Sequence, residues 1–272
     1  MTFHFSRGAP LAAAGIGLAL MTAACAARPF RLPAGPGAPV ADAAAIVDEA
    51  TAACRGVRTL QAELSISGRV GGGRLRGRVI AGFERPSAMR LEGVAPFGPP
   101  AFILVARAGL ATLLMPRDGR LVADAPPAAV IEALAGVLVT PDDLRAILAG
   151  CLTDNPAPVA ARAYAGGWAA VDLQGGGMAY AKQQAQGWRI VAGTLGRLSV
   201  EYGQGPGATP KTVRLRVVDD AGTVTSDLSI VVSQVETNVP IDSRAFLLTR
   251  PAQAVPMTIE ELRRAGPLGQ RR

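Results

Sequence analysis

Apolar and polar residues alternate along most of the chain and predict a long series of β-strands. In "LQAELSISGRV", every second residue from Leu60 to Ile66 is apolar and the residues between them are polar, which is typical of an antiparallel strand with one face in water. The same period returns in further stretches, separated by Gly, Pro and Asp turns: RLRGRVIAGF, AMRLEGVA, AFILVARAG, ATLLMP, WRIVAGTLG, RLSVEYG, KTVRLRVVD and TVTSDLSIVVSQVE. So many consecutive strands predict an antiparallel sheet that curls toward a barrel.

Helical periodicity interrupts the strands at three places. Residues 41–55 place apolar side chains along one stripe, and "PPAAVIEALAGVLVTPDDLRAILAGC" predicts two helices, at about 127–138 and 141–151. The apolar side of this pair includes Val130, Leu134, Leu144, Ile147 and Leu148.

A helix pair this apolar needs a concave apolar surface to cover. We therefore predict a mainly β fold with helices (α+β), in which a curled antiparallel sheet forms an incomplete β-barrel. An N-terminal helix and the central helix pair would cover it, and the apolar interior would suit an acyl chain.

The N-terminal segment has the pattern of an export signal. One strong charge, Arg7, precedes the apolar stretch "LAAAGIGLALMTAACAA", which is short for a membrane span but typical of a signal peptide, here residues 1–24. The stretch includes "MTAAC", which resembles the site at which bacterial lipoproteins are cleaved and lipidated, with Thr22 in place of the usual Leu. This predicts a lipidated Cys25; ordinary signal cleavage near Ala24 or Ala26 is the alternative.

The residues after Cys25 predict a tether followed by one domain. Residues 25–40 are rich in Pro and Gly and have no periodicity, so they would form a lipidated N-terminus and a flexible, semi-extended leash. Residues 41–272 have the length of a single domain with a core of its own. By the sorting rule that the lipoprotein resemblance implies, Ala26 after the cysteine, rather than Asp, indicates a lipid-anchored location on the periplasmic face of the outer membrane.

The net charge of +7 does not indicate nucleic-acid binding. Arginines alternate with apolar residues along predicted strands, as at Arg74, Arg76 and Arg78, and aromatic residues make up only 4% of the chain. An outer sheet face in water, weakly attracted to anionic lipid head groups, explains this pattern.

The residue inventory argues against an enzyme. The only histidine, His4, lies in the predicted signal peptide, so the mature chain would lack Ser-His-Asp or Cys-His sites and histidine-based zinc sites. The acidic pairs fit structural roles: Asp142 and Asp143 follow Thr140 and Pro141 as at a helix start, and the pair at 219–220 fits a turn. "GGGRLRG" precedes a strand rather than a helix, which favours a hairpin turn over a phosphate loop. We predict no catalytic residue, metal site or cofactor.

Two further features carry structural predictions. In "APFGPP", Pro96, Phe97 and Gly98 form a stiff loop outside the sheet. Phe97 either projects from the rim and enters the membrane surface or an incoming acyl chain, or it folds back onto the core. Cys54 and Cys151 lie at the ends of predicted helices that should meet, and export places them in an oxidising space. They form either a disulfide or two buried thiols.

These features together resemble the LolA/LolB-like family of envelope lipoproteins. The cysteine anchor, the helix before a strand meander, "APFGPPAFILVARAG" and "EALAGVLVTPDDLRAILAGC" resemble LolB-type receptors, and the tail "VETNVPIDSRAFLLTRP" is similar to LolA-type carriers. Phe97 falls where the receptors carry an exposed loop Leu, and Cys25 falls on their lipidated cysteine. The chain departs from the receptor pattern in three ways. Ala95 stands in place of Asn, the helix pair lacks the receptor's Trp, and the tail is not like that of the receptors.

The resemblance implies a half-barrel that binds the acyl chains of lipoproteins without catalysis and passes the cargo to the outer membrane. The implied partners are acylated lipoproteins or lipid, a periplasmic carrier protein and the inner leaflet of the outer membrane. The alternative is a structural or envelope-assembly lipoprotein of the same fold that binds a protein partner or a glycolipid.

Overall fold

The computed structural model describes residues 31–203, 205 and 207–266, which form one large sheet with helices against its concave face. The strands are β1 (Ala38–Val40), β2 (Thr59–Val70), β3 (Gly73–Glu84), β4 (Ala88–Val94), β5 (Ile103–Arg107), β6 (Leu110–Met115), β7 (Arg120–Ala125), β8 (Pro158–Tyr164), β9 (Trp168–Leu173), β10 (Gly177–Gln184), β11 (Gly187–Leu195), β12 (Leu198–Gly203), β13 (Thr212–Val218), β14 (Val224–Thr237) and β15 (Val255–Pro256). The helices are α1 (Ala43–Arg55), α2 (Pro127–Ala135), α3 (Pro141–Ala149) and α4 (Ile259–Ala265), with a 3-10 turn at Ser243–Phe246.

The sheet is an open meander whose two halves join where β14 pairs with β2. Its strand order is β1-β8-β9-β10-β11-β12-β13-β14-β2-β3-β4-β5-β6-β7-β15, and every pair is antiparallel except the short parallel contact of β15 with β7. Within the described residues, the two edge strands β1 and β15 do not pair, so the barrel stays incomplete. The predicted mainly β fold with a curled antiparallel sheet is confirmed.

Because the strands alternate in direction, the turns gather at two rims. One rim, called here the Phe97 rim, consists of the turns at 71–72, 95–102, 116–119, 174–176, 196–197 and 219–223. The turns at 85–87, 108–109, 165–167 and 185–186 form the opposite rim. The expected hairpin at "GGGRLRG" is the turn at 71–72, on the Phe97 rim.

The core lies between the concave face of the sheet and helices α1 to α3. Alternate residues of the strands point inward and are buried, among them Leu60, Phe83 and Leu104, each at most 1% exposed. Each large side chain removed from water in this way contributes about 1.5–3 kcal/mol. The polar residues between them face outward, as the alternation predicts.

Local interactions set the end of α2 and the start of α3. Helix α2 stops at Gly136, which adopts φ 64°, and a Cβ there would lie 2.4 Å from Ser226 Oγ, so only glycine fits this close approach. The helix is therefore three residues shorter than the predicted 127–138. Helix α3 starts as expected, because the Thr140 hydroxyl accepts a hydrogen bond from the Asp143 amide at 3.1 Å.

Both ends of the domain add elements that the sequence reasoning did not foresee. Residues 38–40, assigned above to the tether, form β1 against β8, so the folded body begins before residue 41. Near the C-terminus, Thr258 and Glu261 form a reciprocal capping box that starts α4. No helix in the described part of the chain is long and apolar enough to cross a membrane.

Candidate functional site

A wholly apolar void lies between the concave face of the sheet and the α2–α3 segment. Its volume is about 70 Å³, and no polar atom contributes to its surface. The sheet and the helical segment both line it, through Leu64, Ile66, Val79, Leu91, Phe102, Leu104, Ile131, Leu134, Ala135, Val137, Val139, Leu144, Leu215, Leu228 and Ile230. This void is the candidate binding site for an apolar ligand.

The predicted lid residues are buried, but only some of them line the void. Leu134 and Leu144 face it, whereas Val130, Ile147 and Leu148 are fully buried elsewhere in the core. At about 70 Å³, the void is several times smaller than the roughly 300–1,000 Å³ that is usual for small-ligand pockets. An acyl chain could therefore enter only if part of the lid moves away from the sheet.

The α3 half of the lid is covalently fixed. A disulfide joins Cys54, at the end of α1, to Cys151, just after α3, with Cα atoms 5.7 Å apart. Tyr202 of β12 also donates its hydroxyl to the Cys151 carbonyl at 2.6 Å. These contacts hold the C-terminal end of α3 to α1 and to the sheet.

A buried arginine fixes α3 a second time. Arg145 is only 1% exposed and donates to the Val57 carbonyl at 2.7 Å and to the carboxylate of Asp154, which also binds Arg85. Asp142 lies 3.9 Å from the same guanidinium. Burial lowers the pKa of Arg145, and the Asp154 charge opposes that shift. The cluster is a structural clamp between α3, the α1–β2 connection and the β3–β4 turn.

Within the described residues, neither a disulfide nor a buried ion pair holds the α2 half of the lid. Its last turn is bound where Ser226 donates to the Gly136 carbonyl at 2.9 Å, and its outer side meets α4 through an exposed ion pair between Glu132 and Arg263 at 2.9 Å. Leu262 of α4 is fully buried. Helix α2 and the loop 136–140 supply most of the helical lining of the void, so this half of the lid is the part suited to opening.

The loop between β4 and β5 presents Phe97 to solvent. Backbone bonds between Gly93 and Phe102 and from Ala101 to Gly93 close its base, and Phe102 packs where a Cβ on Gly93 would clash. Arg117, in the β6–β7 turn, donates to the carbonyls of Phe97 and Pro99. Phe97 is 88% exposed, and Pro96 and Gly98 are exposed beside it. Of the two predicted placements of Phe97, the structure shows the one in which the side chain projects from the rim rather than packing on the core.

Several residues of the site were missed by the sequence reasoning. Arg145 stood in a predicted helix, whereas Arg117 and Asp154 lie in stretches to which no element was assigned. Their partners are distant in the chain, such as Val57 for Arg145. The "TIEE" sequence at Thr258 is a capping signal that could have predicted α4. Cys25 lies outside the described residues, and within those residues no group of three or more His, Cys, Asp or Glu side chains could hold a metal ion.

Comparison with solved structures shows the fold. A LolA superfamily protein from Nitrosomonas europaea superposes with a TM-score of 0.52 at 10% sequence identity, over 76% of this chain and 97% of that protein. A DUF1329 family protein from Desulfovibrio piger gives 0.45 at 11% identity, over 75% and 96% of the two chains. A domain assigned to outer membrane lipoprotein sorting from Vibrio parahaemolyticus gives 0.45 at 9% identity, over 74% and 94%.

The first of these likenesses shows that the chain has the LolA-type fold, as the resemblance in the sequence implies. No protein-family model matches the sequence, and no curated protein matches it.

Proposed function

We propose that this chain is a non-enzymatic envelope lipoprotein that binds acyl chains beneath its lid during the sorting or insertion of lipoproteins at the outer membrane. The observation that carries the proposal is the wholly apolar void between the sheet and a lid that is firmly fixed on one side only. Acylated lipoproteins or free lipid would be the ligands. A periplasmic carrier and the inner leaflet of the outer membrane would be the partners, and the lipid on Cys25 would hold the protein there.

Binding would proceed by displacement of α2 and the loop 136–140. The disulfide and the Arg145 cluster would keep α3 on the sheet, so the void would widen from the α2 side. The acyl chain would then replace contacts between the lid and the sheet by contacts of its own. Each buried CH₂ contributes about 0.8 kcal/mol, which would offset the apolar area that the displaced α2 exposes.

The closed interior favours one alternative. A void of about 70 Å³ leaves the core nearly filled, as a protein-binding assembly lipoprotein of this fold would require. In that case the lid would stay shut, and the ligand would be a protein partner or a glycolipid bound outside the barrel.

Acyl binding can be tested on the Cys25→Ser chain, exported behind an ordinary cleavable signal peptide and recovered from the bacterial envelope. Native mass spectrometry should detect bound lipid or acylated peptide, and a fluorescent fatty acid should bind the emptied protein with one site. Ala135→Leu should weaken this binding, since Ala135 lines the void and the larger side chain would occupy it. The matched control, Ala52→Leu on the exposed side of α1, should bind normally.

A protein that carries no lipid and takes up no fatty acid would refute acyl binding and favour the assembly role. Equal binding by the Ala135→Leu and Ala52→Leu variants would place the ligand somewhere other than the void. The anchor has its own test, because the exported Cys25→Ser chain should move from the membrane fraction to the soluble envelope fraction.

A further inference from the structure

Two arginines face each other at the Phe97 rim. Arg69 on β2 is directly opposite Arg74 on β3, one residue pair before the turn at 71–72, and both side chains are exposed on the outer face of the sheet. No side-chain hydrogen bond or ion pair engages either guanidinium within the described residues. Like charges placed directly across a strand pair are destabilising, and an anion bound between or above them would remove that repulsion.

The nearest acid is already engaged by other arginines. Asp227 on β14 is opposite Arg69 in the register, but its carboxylate accepts two hydrogen bonds from Arg214, at 2.9 and 2.8 Å, and lies 3.5 Å from Arg216. This cross-strand row therefore holds one carboxylate between cations on both sides. The excess positive charge lies on the β2–β3 hairpin, next to the rim.

Two exposed apolar side chains share this rim with the arginines. Strand β4 ends opposite Arg78, so the loop that carries Phe97 leaves the sheet beside the part of β3 that carries Arg74. Leu138, which is 63% exposed, lies in the loop 136–140 at a groove that it shares with Gly71 and Gly196, both in turns of the Phe97 rim. Its neighbours Val137 and Val139 point inward and are buried, so Leu138 is held outward.

We propose that the Phe97 rim docks on a bilayer that contains anionic phospholipids. Arg69 and Arg74 bind the head-group phosphates, and Leu138 enters the lipid as a second apolar anchor beside Phe97. Guanidinium groups suit phosphate geometry, and apolar side chains at loop tips suit the acyl region below it. This inference rests on the proposed function only in taking a membrane leaflet as a partner.

Vesicle binding tests the proposal with the Cys25→Ser chain that begins at residue 25, since every residue of the main core lies beyond residue 33. Binding is measured by co-sedimentation with phosphatidylcholine vesicles, with and without about 30% phosphatidylglycerol. Arg69→Ser/Arg74→Ser should weaken binding to the anionic vesicles about 30-fold and leave binding to the neutral vesicles unchanged. Leu138→Ser should weaken binding to both about 10-fold.

Matched controls come from the opposite rim. Arg58→Ser/Arg107→Ser removes the same charge from two exposed arginines there, and Leu110→Ser removes an apolar side chain that is 50% exposed. Both controls should bind vesicles nearly as the parent does. Equal losses in the rim and control arginine variants would overturn the proposal, because they would indicate general charge attraction. Unchanged binding by the rim variants would overturn it as well.

Fatty-acid uptake separates this proposal from the proposed function. The rim and control arginine variants and Leu110→Ser should take up the fluorescent fatty acid normally, because none of these residues lines the void or belongs to the displaced part of the lid. Vesicle binding in a protein that takes up no fatty acid would refute acyl binding alone. Uptake without vesicle binding would refute docking alone.

Discussion

Replacing Asp154 with Asn should show how much the clamp on α3 contributes to the free energy of unfolding. The substitution removes the carboxylate that the buried Arg145 guanidinium and Arg85 share, while leaving a side chain of the same size. Arg145, 1% exposed, would keep its bond to the Val57 carbonyl at 2.7 Å and the more distant Asp142 at 3.9 Å. The buried charge would then be only partly compensated.

The expected loss follows from that environment. Breaking a fully buried ion pair by removing one partner costs about 3–5 kcal/mol. Asp154 retains 29% side-chain exposure, so water and Asp142 compensate part of the charge, and we expect a loss of about 2–3 kcal/mol. For a domain of this length that corresponds to a fall in Tm of about 5–10 °C.

Urea and thermal unfolding of Asp154→Asn beside Asp48→Asn would measure this effect. Asp48 pairs with Arg55 on the surface, with side-chain exposures of 64% and 40%, so its removal should cost less than about 1 kcal/mol. Equal, small losses in the two variants would refute the reasoning, because they would show that the Arg145 cluster behaves like a surface ion pair.

Three further predictions concern the loop, the disulfide and an outer-face ion pair. Phe97→Glu should leave Tm within about 2 °C of the parent, because the side chain is 88% exposed, but should weaken vesicle binding at least about 30-fold; a large loss of Tm would show that Phe97 packs on the core. Cys54→Ala/Cys151→Ala should lower Tm by more than about 10 °C, since a bridge across 97 residues contributes about 4–5 kcal/mol in the chain-entropy model; an unchanged melt would refute this. The hydrogen bond from Arg214 lowers the pKa of Asp227 below its ordinary 3.8, so this pair stabilises the fold above that pH and the contribution is lost as the pH falls through the lowered value. Urea unfolding across pH should therefore show a shallower acid limb for Asp227→Asn than for the parent, and identical limbs would contradict it.

Strands β2, β3 and β12 were predictable from the sequence because their burial alternates from residue to residue. One face of β2 is buried and the other is exposed to solvent, and the alternation of apolar and polar residues in its sequence reflects this. Strands β7 to β10 were not predicted. Strands β8 and β9 contain the alanine-rich stretches "AARA" and "WAAV", which have weak strand preference and little contrast between faces. Their pairing with β1 and β10, rather than local preference, keeps them extended.

The same contrast between local sequence signals and contacts between distant segments applies to the site. The Pro and Gly residues around Phe97 predict an exposed loop because they act locally. The export signal and the position of Cys54 and Cys151 at predicted helix ends were enough to suggest a disulfide between them. The Arg117 contacts and the Arg145 clamp join residues that only the folded chain brings together, and no spacing in the sequence indicates them. The size of the void also depends on how the whole lid packs, so the predicted cavity proved much smaller than an acyl chain requires.

The length of the tether should decide whether an anchored molecule can dock through its Phe97 rim. Ala38 pairs with Ala163 beside the opposite rim, so the tether joins the body far from Phe97. Residues 25–37 can span at most about 45 Å, whereas the rims are about 30–40 Å apart, from the 12 residues of β2 and the usual tilt of barrel strands. Deleting six residues from 26–33 would shorten the reach to about 25 Å and should prevent docking on the leaflet that holds the anchor.

Fluorescence of a lipidated Phe97→Trp variant in vesicles with brominated acyl chains, corrected for the parent's signal, measures this contact. The full tether should give strong quenching and the shortened one little, while both Cys25→Ser forms, free of the anchor, should be quenched alike by added vesicles. Equal quenching in the two anchored forms would show that docking does not depend on tether reach, and would contradict the placement of the two rims relative to the membrane.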